Sequence, residues 1–505
     1  MSSHTTEKVQ AEPVAEKKHQ GELINASGHR QEVERNFSLL SICAIAVTTG
    51  NTWIAQGGSV ATALYNGGLA GCIYEFIAVS VCYWMVAASL AELASGMPSA
   101  SGVYHWASIT AGKYGRVCGF FAGWWNCLAW ILGAASMSLI MGQQTVSMYS
   151  LTHPDFIPST WNVFLSFILC TWTACCTVLF MNRFLPFIGN LGMFFILAGV
   201  FVTIVVCAVM PYVNGQPYLS DKEVWGTWTN KTGYSSQGFV FVLGMLNGAY
   251  SVGTPDCSSH LAEEIPQPSR NVPKAILAQM SVGFVTGILY MIAIFYAIRD
   301  PTQLSLLRFV NFPLPAIYAQ ATGSDAGGLG LLVVAFIPTL ITATGCYITA
   351  GRTLWTISRD RATPFPNWLG HINTKFQNPF NATLVCGCVV TILACIYMGS
   401  TTAFSAFVGC FVQLSSLSYF MAIFPTSSLA IGYVLNILAC IYILAFVVIF
   451  CFPFALPTDA ASMNYASLMT GGLTIFVAIW WFIRQGSYEG PKNIPLSDKD
   501  LAENR

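Results

Sequence analysis

The run Phe239-Val240-Phe241-Val242-Leu243-Gly244-Met245 leads into Asn247-Gly248-Ala249-Tyr250-Ser251-Val252-Gly253-Thr254-Pro255-Asp256. Leu261-Ala262-Glu263-Glu264-Ile265-Pro266 and Asn271-Val272-Pro273-Lys274-Ala275-Ile276 follow. Gly248, Gly253 and Pro255 inside one apolar segment break its backbone ladder, and the carboxylate of Asp256 sits at the break. In hydrocarbon a broken helix is tolerated only where it lines a protein-walled cavity. Discontinuous helices of this kind build the midplane substrate sites of secondary transporters.

Composition agrees. Of 505 residues 54% are hydrophobic and only 9% charged, with a mean hydropathy of +0.59. A soluble domain carries about 25% charged residues, so most of this surface faces something other than water. Twelve apolar segments have spanning length, near 38–64, 68–95, 115–142, 161–181, 187–210, 237–258, 275–298, 328–351, 381–399, 403–424, 429–452 and 465–483. The chain therefore reads as an all-α integral membrane protein. Residues 1–36 are polar, without an apolar core of signal-peptide type, and read as a disordered tail.

Basic residues give the orientation. With the amino terminus inside, only Lys222, Lys231, Arg299 and Arg308 of the 22 Lys and Arg fall outside. That asymmetry puts both termini in the cytosol. The sequon Asn230-Lys231-Thr232 then lies in the outer loop 211–236, which makes Asn230 a glycosylation candidate.

Several classes drop out. Zero net charge and no basic stripe argue against nucleic acid. All 17 cysteines lie in apolar segments; Cys175-Cys176 and Cys386-Gly387-Cys388 have no nearby His or carboxylate, so they read as polarizable core residues rather than a metal site. No loop cradles phosphate, and no cofactor is implied.

Three carboxylates lie within spans: Glu75, Glu92 and Asp256. An ionisable group at membrane depth is a functional-site hypothesis by default. The plainer alternative is that Glu92 and Asp256 cap helix ends or bond neighbouring backbone. Glu75 and Asp256 are the candidates for proton coupling. The first span is interrupted too, at Thr48-Thr49-Gly50-Asn51-Thr52 and again at Gln56-Gly57-Gly58-Ser59. Breaks in spans one and six, five spans apart, suggest an inverted repeat; a glycine-mediated helix crossing is the alternative. Aromatics cluster where a pocket would be, at Trp53, Trp124, Trp125, Trp130 and Tyr250; Trp53 and Tyr250 each lie beside a break and offer aromatic faces to a cation, although interface or core placement explains most intramembrane tryptophans.

Ser95-Gly96-Met97-Pro98-Ser99-Ala100-Ser101-Gly102-Val103-Tyr104-His105-Trp106-Ala107 resembles the signature after the second span of fungal amino acid/choline permeases. Phe120-Phe121-Ala122-Gly123-Trp124-Trp125-Asn126, Gly253-Thr254-Pro255-Asp256 onward to Lys274, and Ala350-Gly351-Arg352-Thr353-Leu354-Trp355 match the same family. It is the amino acid–choline branch of the amino acid–polyamine–organocation superfamily, and the resemblance runs from about 37 to 484. It implies a leucine-transporter-like fold: a first repeat over 37–210 (spans 1–5), the outer loop 211–236, a second repeat over 237–424 (spans 6–10), two extra spans over 425–484, and a cytosolic tail over 485–505. It implies proton-coupled uptake of choline, 4-aminobutyrate (GABA) or amino acids at a fungal plasma membrane. Substrate contacts carried over are Thr49, Gly50, Asn51, Tyr250, Ser251, Gly253 and Asp256, beside Trp53 from the aromatic reading. Three departures stand out. The connection between spans ten and eleven is only Pro425-Thr426-Ser427-Ser428, the first break lacks a Gly-x-Gly pattern, and span five has no lysine.

The expectation is a secondary-active permease for a small nitrogenous solute, using protons and a lipid bilayer. Alternatives are a carrier of a specialised metabolite or its precursor, and a nutrient sensor that binds without transporting. Short polar tails favour the carrier. An enzyme is not expected, because no nucleophile–base or metal pattern appears.

Overall fold

The computed structural model describes residues 35–64, 66–300, 312–400, 402–426, 430–460 and 462–491. The amino-terminal tail to residue 34, Arg308, Ser427, Ser428 and the chain from 492 lie outside them.

Among the described residues, eleven helices are long and apolar enough to cross a membrane. Spans 1–5 are Leu39–Val60, Gly68–Gly96, Gly112–Thr152, Thr160–Phe180 and Asn182–Val213. Spans 7–12 are Pro268–Tyr296, Asp325–Arg359, Phe380–Gly399, Ala403–Ile423, Gly432–Ile449 and Tyr465–Arg484. The sixth is the shorter apolar helix Gln237–Val252, so the expected end near 258 moves back to the break. Its termination has a local cause. Gly253 caps the helix, Thr254 precedes a proline and is steered out of the α region, and Pro255 has no N–H to give. The chain then turns, with Ser259 N donating to Asp256 O at 2.9 Å, and continues as a 3₁₀ segment over Ser259–Glu264. Span 1 is likewise two helices, Leu39–Thr49 and Thr52–Leu64.

Burial separates centre from rim. In spans 1 and 10, 83% of the most apolar window is buried; in spans 5 and 11 it is 28%, and in span 12 it is 17%. Outward residues of the rim include Phe194, Phe201, Ile475 and Ile483, a surface suited to acyl chains. Span 3 runs along spans 8 and 10, span 2 lies against spans 6 and 7, and the first helix of span 1 lies against spans 5 and 7.

Three connections matter for the site. The helix Gly102–Thr110 between spans 2 and 3 begins at Gly102 with φ 49°, a left-handed value that favours glycine. Strand β1 (Asn66–Gly67) pairs antiparallel with β2 (Thr229–Asn230), joining the span 1–2 corner to the loop before span 6. Despite the short link from span 10, span 11 is seated against span 2. Asn436 accepts from Ser89 at 2.5 Å and donates to Thr426 at 2.9 Å, and Tyr442 meets Tyr83 edge-on at 5.7 Å.

The residues after span 12 fold back as a latch. Arg116 donates to the carbonyls of Gln485 and Tyr488, both at 2.7 Å. The Tyr488 hydroxyl donates to Tyr104 at 3.0 Å, and Tyr104 donates to Asp360 at 2.7 Å.

Candidate functional site

Asp256 is fully buried at the break in span 6, and donors from three elements surround it. Oδ2 accepts from Asn126 Nδ2 at 2.7 Å, Trp130 Nε1 at 3.1 Å and His260 Nε2 at 3.2 Å. Oδ1 accepts from the Tyr419 hydroxyl at 2.6 Å. Asn126 and Trp130 belong to span 3, Tyr419 to span 10 and His260 to the inner segment of span 6. A carboxylate with four donors is well solvated by the protein and ties these elements together.

Gln279 of span 7 touches both breaks. Its amide nitrogen donates to the Thr254 carbonyl at 2.9 Å and to the Thr254 hydroxyl at 2.7 Å, and Cys257 donates to its Oε1 at 3.2 Å. The same side chain lies so close to Gly50 that a Cβ there would collide with its amide. Gly50 is thus needed for close approach, and Gly253 likewise: a Cβ on it would come within 2.5 Å of the Ala249 carbonyl and 3.2 Å of the Tyr83 hydroxyl.

The first break carries free hydrogen-bonding capacity. Thr49 Oγ1, both polar atoms of the Asn51 amide and Trp53 Nε1 are buried and have no protein partner. Thr49 sits against Gly345 of span 8, and Asn51 O accepts from Ala55 N at 3.2 Å where the outer helix begins. Buried polar groups are normally satisfied, so such a cluster beside a helix break is where a polar ligand fits. Hydroxyl and indole donate, and the amide both donates and accepts.

Gln56 joins the second helix of span 1, Thr52–Leu64, to the helix of span 6, Gln237–Val252. It donates to Ser251 Oγ at 2.8 Å and accepts from Asn247 Nδ2 at 2.9 Å. Tyr250 turns to spans 3 and 10, with its hydroxyl 2.8 Å from Ser136 Oγ and its ring edge-on to Phe411 at 5.8 Å. Trp53 turns the other way, tilted on Tyr290 at 5.2 Å. The two aromatics have different ring partners on different spans. Glu75 is buried with neither carboxylate oxygen bonded. It faces Gly244 of span 6, where any Cβ would strike the carboxyl group. It shares no partner with Asp256.

Beyond the break in span 6, Glu264 pairs with Arg352 at 2.5 Å and Glu263 with Arg359 at 3.3 Å. Phe37 N donates to Glu264 O at 3.1 Å. The start of span 1, the inner segment of span 6 and the end of span 8 are thereby clamped. Glu92, by contrast, is exposed. Asn230 lies in β2; its Nδ2 donates to Tyr234 O at 2.8 Å while Oδ1 accepts from Thr232 N at 2.9 Å.

Trp130, one of the clustered aromatics, is thus at the site, whereas Gln279, Gln56, His260, Asn126 and Tyr419 were not read from the sequence as site residues. Two of these had a readable signal: Asn126 stands four before Trp130, on one helix face, and His260 stands four after Asp256. Gln279 and Tyr419 had none, since only the fold brings them to the breaks.

The amino acid permease family profile matches residues 37–475. A choline transporter of Saccharomyces cerevisiae is 29% identical, covering 93% of this chain and 85% of that protein. A 7-keto 8-aminopelargonic acid transporter of the same yeast is 24% identical, over 92% of this chain and 95% of its own. An amino-acid permease of Arabidopsis thaliana is 26% identical, over 93% and 96%. Among solved structures, the manganese transporter of Eremococcus coleocola superposes with a TM-score of 0.56 at 13% identity, covering 92% of this chain and 98% of that one. That similarity concerns the fold alone, which is leucine-transporter-like.

Proposed function

This chain belongs to the amino acid permease family and is a multi-pass membrane transporter, and we propose that it drives a small zwitterionic amine, an amino acid or 4-aminobutyrate, across the plasma membrane with the proton gradient. The observation that carries the zwitterion is the unpartnered set Thr49, Asn51 and Trp53 at the first break, whose donors suit a carboxylate. Gly50, Ser251, Gly253 and Tyr250 complete the site in this reading. Asp256 already has four donors, so it contributes by holding spans 3, 6 and 10 in place rather than by meeting the substrate amine. Glu75, buried and unbonded, and Asp256, through the groups that contact it, are assigned to coupling. Both termini are assigned to the cytosol from the distribution of Lys and Arg, and Asn230 to the outer side. Because its amide is bonded in the folded loop, a glycan there has to be added before the loop closes. A glycosidase-sensitive mobility shift, lost in Asn230→Gln, tests both assignments.

A second reading is choline. It is favoured by the similarity to the yeast choline transporter and by the buried ring of Tyr250. Choline has no carboxylate and would leave the donors at Thr49 and Trp53 unmet. Uptake of radiolabelled choline, 4-aminobutyrate and an amino acid panel in permease-deficient yeast separates the two. Block by excess choline but not by amino acids would replace the zwitterion with the cation. Uptake that ignores a protonophore and requires sodium would end the proton-driven reading.

A further inference from the structure

The ring of His260 meets acceptors at both nitrogens. Nε2 lies 3.2 Å from Asp256 Oδ2. Nδ1 lies 3.3 Å from the Ala100 carbonyl and 3.3 Å from Thr353 Oγ1. The Thr353 hydrogen goes to Thr349 O at 2.8 Å, so towards the ring this hydroxyl accepts. A neutral imidazole has one N–H and one acceptor nitrogen. Whichever nitrogen is bare here faces another acceptor, whereas the doubly protonated ring satisfies Asp256 on one side and Ala100 with Thr353 on the other. The ring is 1% exposed and Asp256 is 0% exposed, so a cation at His260 is balanced by the one carboxylate it touches.

The acceptors at Nδ1 belong to elements other than that of His260. Ala100 is in the turn after span 2 and Thr353 is in span 8, while His260 rides on the inner segment of span 6. Gly102 lies against the same segment, where a Cβ would come within 2.5 Å of Ser259 Oγ and 3.4 Å of the His260 ring. Other titratable or charged groups near the pair are Tyr419 from span 10, Tyr83 from span 2 and Cys257 beside Asp256. Glu263 and Glu264 follow on the same segment, engaged by Arg359 and Arg352 of span 8. Span 3 contributes Asn126 and Trp130, neither of which titrates.

We propose that His260 carries the coupling proton, held while the inner segment of span 6 is closed on the Ala100 turn and span 8, and released when that segment moves away. The proposal rests on the proton-driven reading above. The step balances simply. The Nδ1–H bond breaks, its proton passes to water on the side that opening exposes, and the ring is left neutral with Nε2–H still donated to Asp256.

The test uses the full-length carrier in proteoliposomes with an internal pH dye, and L-alanine, 4-aminobutyrate and choline as radiolabelled probes. Two quantities are read: substrate exchange without a gradient, and acidification accompanying net uptake. For His260→Gln the expected result is retained exchange, no substrate-evoked acidification and uptake that no longer varies with pH. Exchange and acidification falling together, with their ratio and pH profile as in the parent, would mark a structural role and overturn the proposal. Thr353→Val covers the case in which the histidine variant fails to fold. It removes one acceptor of the protonated ring, so the fall of uptake with rising pH should begin at lower pH; an unmoved profile overturns the assignment. Parent carrier that exchanges a probe without any acidification would instead remove the proton-driven reading, and this assignment with it.

Discussion

Gln279 donates to both the carbonyl and the hydroxyl of Thr254, at 2.9 and 2.7 Å, while its side chain lies flush against Gly50. One amide thus sets the distance between the breaks of spans 1 and 6. Gly50→Ala should reach the membrane and lose most uptake, because its methyl displaces that amide; overpacking of this kind costs about 1–3 kcal/mol. Pairing it with Gln279→Ala makes room, and uptake should recover beyond that of Gly50→Ala alone. A double-mutant cycle on uptake, normalised to surface protein, reads the coupling. Strict additivity would mean the two sites act separately.

Gly244 and Glu75 make a comparable contact between spans 6 and 2. Gly244→Ala drives a methyl into the carboxyl group and should lower the melting temperature in detergent, by about 1–3 kcal/mol of stability. Adding Glu75→Ala should restore part of the loss, since the obstructing group is gone. An unchanged melt in Gly244→Ala would show that the spans part more easily than their contact implies.

The Arg352–Glu264 pair is buried, so its halves should behave asymmetrically. Arg352→Met leaves Glu264 without its partner, at about 3–5 kcal/mol. Together with Glu264→Gln the loss should shrink, because no unpaired charge remains. Thermal melts of purified protein compare the two; equal destabilisation would mean the charge on Glu264 is met elsewhere.

The latch beyond span 12 predicts a pH response. Tyr488→Phe removes one hydrogen bond and should cost about 1 kcal/mol, whereas Tyr488→Ala empties a buried site and should cost about 3 kcal/mol or more. Burial, chiefly, holds the Tyr104 and Tyr488 hydroxyls above the ordinary tyrosine range. A raised value in the folded state means that stability is fully present below about pH 10, the unfolded value, and fades as pH rises through the folded one. Melting should therefore not differ between parent and Tyr488→Phe in pH dependence from 6 to 9, and should diverge only in alkali. A divergence near neutrality would contradict this.

The breaks were legible because their causes are local. Gly253 and Pro255 act on their own backbone, and Gly50 sits within a polar run of its own span. Span positions were legible for the same reason, since hydropathy is summed along contiguous residues. What surrounds Asp256 was legible only in part, in the clustered Trp130 and in His260 four residues on. Asn126 lies 130 residues away and Tyr419 lies 163 away, and nothing in either stretch marks it as facing the sixth span. Trp53 and Tyr250 show the converse: closeness to a break in sequence says nothing about which way a ring turns. Glu75 was legible as costly but not as unpartnered, which depends on Gly244 lying opposite.

Gln56 bridges Asn247 and Ser251 across two distant parts of the chain, accepting from one and donating to the other. Natural variation therefore has few single steps open to it there. Replacing the glutamine leaves the Asn247 amide nitrogen without its acceptor and the Ser251 oxygen without its donor, and replacing either of those leaves half of the glutamine amide unmet. Drift at these three positions should proceed in concert or not at all, so that in a deep set of relatives they change as one heritable character, while rim positions such as Phe201 and Ile475 change independently.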